Sequence, residues 1–136
     1  LGFYFNIIFP RVRVINTNSI SEIFEIIHHI GSNDVIIGIS FPRYSKRILK
    51  ALEYARSKKA GVIAITDSYI SPIAQYAEQT LIGRSEMISF VDSLVAPLSI
   101  INAIIVAVSL RKKDEISTNL DNLETVWMEY EVYDER

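Results

Sequence analysis

A chain of 136 residues, 49% hydrophobic and with a formal net charge of −2, has room for one domain with a real core and not for two. Having no cysteine, it excludes a disulfide framework, a thiolate metal site and a cysteine nucleophile, and the default compartment is the cytoplasm. The weak negative charge excludes a general attraction to nucleic acid, although seven of the fourteen basic residues lie between positions 43 and 59.

The opening LGFYFNIIFP reads as the last turns of an apolar helix stopped near Pro10, without the basic start of a signal peptide, so an upstream part of the fold is expected. Residues 11–15, RVRVI, alternate with the period of a strand. Ser19 or Ser21 then caps a helix carrying Ile23, Phe24, Ile26, Ile27 and Ile30, with Gly31 as its left-handed stop. His28 and His29 at that end read as capping residues, favoured there by the macrodipole. Asp34 opens the apolar run VIIGI, which ends at Ser40. Such a run suits a strand of a parallel sheet covered on both faces.

A helix follows from Tyr44 to Lys59, with Ile48, Leu49, Leu52 and Ala55 inward and Lys46, Arg47, Lys50 and Arg56 outward. Gly61 releases the strand VIAIT, closed by Thr66, Asp67 and Ser68. Ser71 and Pro72 start a helix of about two turns, with the hydroxyl as cap and proline at the first helical position. Residues 80–82 form a brief strand. From Met87 to Leu110 the chain is almost continuously apolar, long enough to invite a membrane reading. Asp92, Pro97, Asn102 and the soluble α/β pattern before it argue instead for a helix buried in the domain and at a subunit interface. A last amphipathic helix begins near Asp114, with Ile116, Leu120, Leu123 and Trp127 on one side and an aromatic patch of Trp127, Tyr130 and Tyr133 near its end. A mean hydropathy of +0.22 fits a surplus of apolar residues covered by a second copy, in a homodimer or higher homo-oligomer.

Strands alternating with helices specify the α/β class, a three-layer α/β/α arrangement around a parallel sheet. Ligands in such sheets sit beyond the carboxyl ends of the strands, where the next helix presents its free N–H groups. Residues 40–45 occupy that position after the 35–39 run, and an anion suits it.

Three ordered stretches, GISFPRYSKRILKALEYAR, VIAITDSYISPIAQYAEQTL and SFVDSLVAPLSIINAI, resemble the sugar isomerase (SIS) domain, and most closely the effector-binding domain of RpiR-type transcriptional regulators. The resemblance spans about residues 12–130. It implies a flavodoxin-like sheet of five parallel strands, a phosphosugar site at the strand ends, dimerisation through helices and an N-terminal helix-turn-helix domain. The family's first strand and that DNA-binding domain would precede Leu1, so DNA is a partner only through a segment outside this sequence. No cofactor and no metal is implied. The family pattern Ser-x-Ser-Gly-x-Thr reads here Ser40-Phe41-Pro42-Arg43-Tyr44-Ser45. The outer hydroxyls persist, while Arg43 stands where glycine lets backbone approach a phosphate, and Pro42 removes a donor.

The resemblance carries phosphate contacts to Ser40 and Ser45, against which stands plain helix capping by a hydroxyl. Arg43 is either a replacement cation or a solvated turn residue. Thr66, Asp67 and Ser68 border the same crevice, with Asp67 a ligand-hydroxyl acceptor or a turn cap. Glu86 lies where SIS isomerases tend to place a catalytic carboxylate, but a matched acid/base partner is missing, which leaves it, with Ser89, as a ligand contact. The expected function is non-catalytic sensing of a phosphorylated sugar or related small anion. Its rivals are an aldose-ketose phosphate isomerase and a structural module that has lost its ligand.

Overall fold

The computed structural model describes residues 1–84 and 93–133. These fall into two compact units, one formed by residues 15–100 and one by residues 1–14 with 101–136.

The first unit is built on three parallel strands in the order β1 (Val35–Ile39), β2 (Gly61–Thr66), β3 (Gln79–Ile82). Val35 pairs with Gly61 and Ile39 with Ile65, while Ile63 pairs with Gln79 and Thr66 with Ile82. All three strands therefore end on the same side. Helix α2 (Ile20–Ile27) starts at Ser19, whose hydroxyl accepts the Glu22 N–H at 3.4 Å. Helix α3 (Lys46–Ser57) packs on β1 and β2.

Leu52 and Ala55 of α3 are fully buried among Ala60, Val62, Ala64 and Ile73. Ile36, Val62 and Ala64 share that face of the sheet because side chains alternate along a strand. Gly38 belongs there too: a Cβ on it would come within 2.7 Å of the Leu52 side chain, so glycine is what lets this helix lie so close. Beside α3, α2 buries Ile23 and Ile27 with Ala51, a cluster that also meets Ile36, and Phe24 meets Tyr54 edge to face.

Several expectations need correction. Residues 11–15 form no strand; alternation is not enough, because a strand exists only through a ladder partner, and β1, β2 and β3 pair with one another. The β1 run is not covered on both faces: Val35 is 62% exposed and Gly38 alone is buried, since β1 is an edge of this sheet. The two-turn helix after Ser71 is a single 3-10 turn, Ala74–Tyr76. Glu78 N–H already donates to Val62 O at 2.9 Å to begin the next strand, which leaves no length for a second turn.

Left-handed backbone appears elsewhere than expected. Gly31 does not adopt it, and α2 ends earlier, at Ile27. Arg43 and Lys59 do, at φ 65° and 63°. Lys59 closes α3 in a Schellman arrangement, its N–H donating to Arg56 O and that of Ala60 to Ala55 O.

In the second unit α1 (Gly2–Ile8) packs against α5 (Lys113–Glu129). Asn119 Nδ2 donates to Ile7 O at 3.0 Å, and the Lys112 ammonium lies over the Phe9 ring. Ile116, Leu123 and Trp127 are half-buried, Leu120 is exposed, and Trp127 meets Tyr133 edge to face. Helix α4 (Val95–Arg111) begins in the first unit, runs on into the second, and is apolar on every side. The expected start of that helix at Met87 lies outside the described residues. Pro97 is its one buried residue, and Leu98, Val106 and Leu110 are more than half exposed. The reading of α4 as a helix buried within the domain is therefore wrong for this chain alone. No single helix among the described residues is long and apolar enough to cross a membrane.

Candidate functional site

The carboxyl ends of β1 and β2 lie side by side because the parallel ladder continues one step past Ile39: Ser40 N–H donates to Ile65 O at 3.1 Å. Ser40 is thereby placed beside Thr66. Two loops leave from here, the turn 41–45 that opens α3 and the loop 67–73 that leads to the 3-10 turn. Gly83 adds the end of β3, its N–H donating to Thr66 O at 2.8 Å.

Ser40 is buried, and its Oγ accepts the Ser45 N–H at 3.1 Å. That bond shapes the turn and still leaves the Ser40 hydroxyl hydrogen to donate. Ser45 is the N-cap residue of α3, yet its side chain makes no capping bond. The first turn of α3 contains no acidic residue and instead begins Lys46, Arg47. Positive side chains at the positive end of a helix are the reverse of the usual preference, and an anion would relieve the mismatch. Arg47 is tied back to Asn18 through its O at 2.8 Å and its Oδ1 at 3.0 Å. Lys46 and Arg43 remain exposed beside the turn.

Arg43 occupies a left-handed conformation that a glycine would adopt without cost. A guanidinium stands at the rim of the turn.

Between the two loops, the Tyr44 hydroxyl donates to Asp67, 2.9 Å from Oδ1 and 3.1 Å from Oδ2, and the Thr66 hydroxyl donates to the same Oδ1 at 3.0 Å. Thr66 is fully buried, so its hydroxyl serves Asp67 and faces no solvent. Asp67 and Tyr44 are half-buried. The Tyr44 phenol is held above its ordinary pKa of 10.0, by burial first and then by the hydrogen bond to Asp67 and the charge of that carboxylate. Ser68 is half-buried, and its Oγ accepts the Ile70 N–H at 3.3 Å in a local turn.

The structure therefore brings Ser40, Arg43, Ser45, Thr66, Asp67 and Ser68 to one end of the sheet. Glu86 and Ser89 lie outside the described residues. Tyr44 was not singled out by sequence reasoning, although it is the residue that joins the two loops. A tyrosine between two hydroxyl positions on a turn was the available signal. Ser71, expected to cap a helix, is buried with its hydroxyl unpartnered.

The family model of the SIS domain matches residues 11–107. An uncharacterized HTH-type transcriptional regulator of Caldanaerobacter subterraneus subsp. tengcongensis is 28% identical over 102 residues, 72% of this chain and 36% of that protein. The chain thus spans about a third of the curated relative it matches. The sugar isomerase domain of an RpiR transcription factor from Sphaerobacter thermophilus superposes with a TM-score of 0.85 at 22% identity, over 91% of this chain and 69% of that one. The NanR protein of Vibrio vulnificus in complex with ManNAc-6P superposes with a TM-score of 0.75 at 12% identity, over 95% of this chain and 49% of its own. At these identities the likeness shows a shared α/β fold.

Proposed function

Because the chain belongs to the SIS domain family, we propose that it is the ligand-sensing and dimerising domain of a sugar-phosphate-responsive transcriptional regulator, and that it makes and breaks no bond. The observation that carries this reading is the uncapped start of α3 at the carboxyl end of β1. There the Ser40 and Ser45 hydroxyls, the first N–H groups of the helix and the cations Arg43 and Lys46 meet with no acidic residue in the turn. A phosphate placed there receives donors and positive charge together. The curated relative is an HTH-type regulator, which favours sensing over catalysis, and NanR was solved with a phosphorylated sugar, which favours that ligand class.

The apolar, exposed α4 supports association with a second copy of the chain, since a helix that is hydrophobic all round is stable in water only when covered. Ligand binding would favour one arrangement of that dimer, and a helix-turn-helix module of the whole protein would transmit the change to DNA in the cytoplasm.

Thermal unfolding in the presence of sugar phosphates tests the reading. A ligand at 100 times its dissociation constant raises stability by about 2.7 kcal/mol, and Ser45→Ala should remove most of that gain. Equal stabilisation of the Ser45→Ala variant would place the ligand elsewhere. No stabilisation by any sugar phosphate would leave the purely structural module as the better account.

A further inference from the structure

The bend between α4 and α5 has no cause in the local sequence. One residue, Lys112, separates the two helices, and the chain turns by 98° there. Bends that sharp fall at proline, at glycine or where a group inserts into the backbone ladder. No glycine or proline follows Pro97, and the junction reads Leu110-Arg111-Lys112-Lys113-Asp114-Glu115, mostly strong helix formers.

Helical bonding runs up to the break and resumes directly after it. Lys112 N–H donates to Val108 O at 3.1 Å, and Ile116 N–H donates to Lys112 O at 3.0 Å. Between them Lys113, Asp114 and Glu115 form the first turn of α5, and Lys112 as its N-cap residue offers no side-chain bond. A continuous helix would pair these three N–H groups with the carbonyls of Ser109, Leu110 and Arg111.

The bend is therefore imposed from outside, and α1 is the element that grips α5 in this unit. Asn119 Nδ2 holds Ile7 O at 3.0 Å, and the Lys112 ammonium lies 5.3 Å from the centre of the Phe9 ring. The grip is slight. Helix α1 has seven residues and buries one, Ile8. A cleft of about 630 Å³, lined by Ile7, Phe9, Pro10, Thr118 and Leu123 among others, stays open between α1 and α5. Protein interiors leave few voids larger than a water molecule, so this contact forfeits much of the dispersion energy of a packed interface.

We propose that Lys112 is the hinge of a two-state element: with α1 docked the chain bends there, and with α1 released α4 and α5 join into one straight helix ending at Glu129. The exchange sets three helical hydrogen bonds against a loosely packed contact, which brings the two states close in free energy. Release also uncovers Ile116, Leu123 and Trp127, which are half-buried in the bent state. The position of α1 thus governs how much apolar helix the chain displays.

The chain has no cysteine, so Asn102→Cys with Thr125→Cys, both at exposed positions of this unit, place spin labels on either side of the hinge. Pulsed dipolar spectroscopy on labelled chain diluted into unlabelled chain reads the distance within one molecule. At a rise of about 1.5 Å per residue, the backbone separation is about 23 Å for a 98° bend and about 35 Å for a straight helix. The native chain should give the shorter distance. Phe9→Ala together with Asn119→Ala, which loosen α1, should raise the ratio of long to short distances at least tenfold. Adding Lys112→Gly, which disfavours helix at the hinge, should cut that ratio about fivefold, with helical circular dichroism kept in every variant. A distance unchanged on loosening α1 overturns the proposal. A broad distribution with loss of helical signal overturns it too, because α5 would then melt on release instead of straightening, and so does a ratio indifferent to Lys112→Gly. Each of these results leaves the sensing function as it stands.

Discussion

The two compact units differ in how they hold together. In the unit of residues 15–100, Leu52, Ala55, Ala64, Ile65 and Ile73 are fully buried around a parallel sheet. In the unit of residues 1–14 and 101–136, Ile8 is the one buried apolar residue among the described residues, and Val106, Leu110, Val126 and Met128 lie open. A sheet with a helix on it removes apolar surface from water by itself; a pair of helices with apolar residues on several sides does not, and its surplus is available for association. The candidate site belongs to the first kind of unit, where its groups sit at fixed strand ends.

That contrast predicts unequal responses to truncation. Leu52→Ala should cost about 2–5 kcal/mol, because a cavity opens under Gly38 in a closely packed layer; chemical denaturation would show it as a lower midpoint. Leu110→Glu, at a position 74% exposed, should leave the circular dichroism of the chain unchanged. If a second copy covers α4, it should weaken self-association by about tenfold or more, read as a fall in mass by light scattering. A loss of fold in Leu110→Glu comparable to that in Leu52→Ala would erase the distinction between the units.

A smaller effect is expected where Tyr44 meets Asp67. Tyr44→Phe should lower stability by about 1 kcal/mol at neutral pH, through the lost bond to Asp67. The pH dependence follows from the raised phenol pKa. Its protonated form is favoured in the folded state, so its contribution is complete below pH 10 and is lost as pH climbs through the raised value. Native chain and variant should therefore converge in alkali, and parallel curves would mean that Tyr44 is not coupled to Asp67. The smallest change belongs to Arg43→Gly, which relieves a left-handed non-glycine residue at φ 65°. A gain of up to about 1 kcal/mol is expected after the greater chain entropy of glycine is set against it, measured as a higher denaturation midpoint with an unchanged slope.

Much of the site was legible beforehand because it follows from strand ends. An apolar run ending in Ser40 and another ending in Thr66 and Asp67 must deliver those residues to the same side of a parallel sheet. The parts that were missed depend on contacts between loops. Tyr44 meets Asp67 across 23 positions of sequence, and periodicity carries no information about such a meeting. Gly31 and Ser71 were read by local propensity as a helix stop and a helix cap; left-handed backbone falls instead at Arg43 in the turn before α3, at Lys59 closing α3 and at Glu131, and the space before β3 reduced the helix after Ser71 to one turn.

The linear order of apolar runs, turns and amphipathic stretches was sufficient to determine the α/β class, the SIS family and the end of the sheet to which Ser40, Thr66 and Asp67 are delivered, because hydrophobic period and strand direction are local properties of the chain. Tertiary structure decided which strands exist, since residues 11–15 alternate as a strand does and yet have no ladder to join. It also decided the chemistry of the strand ends, since whether a hydroxyl caps a helix, clamps a carboxylate or keeps its hydrogen free is settled by what lies within about 3 Å of it.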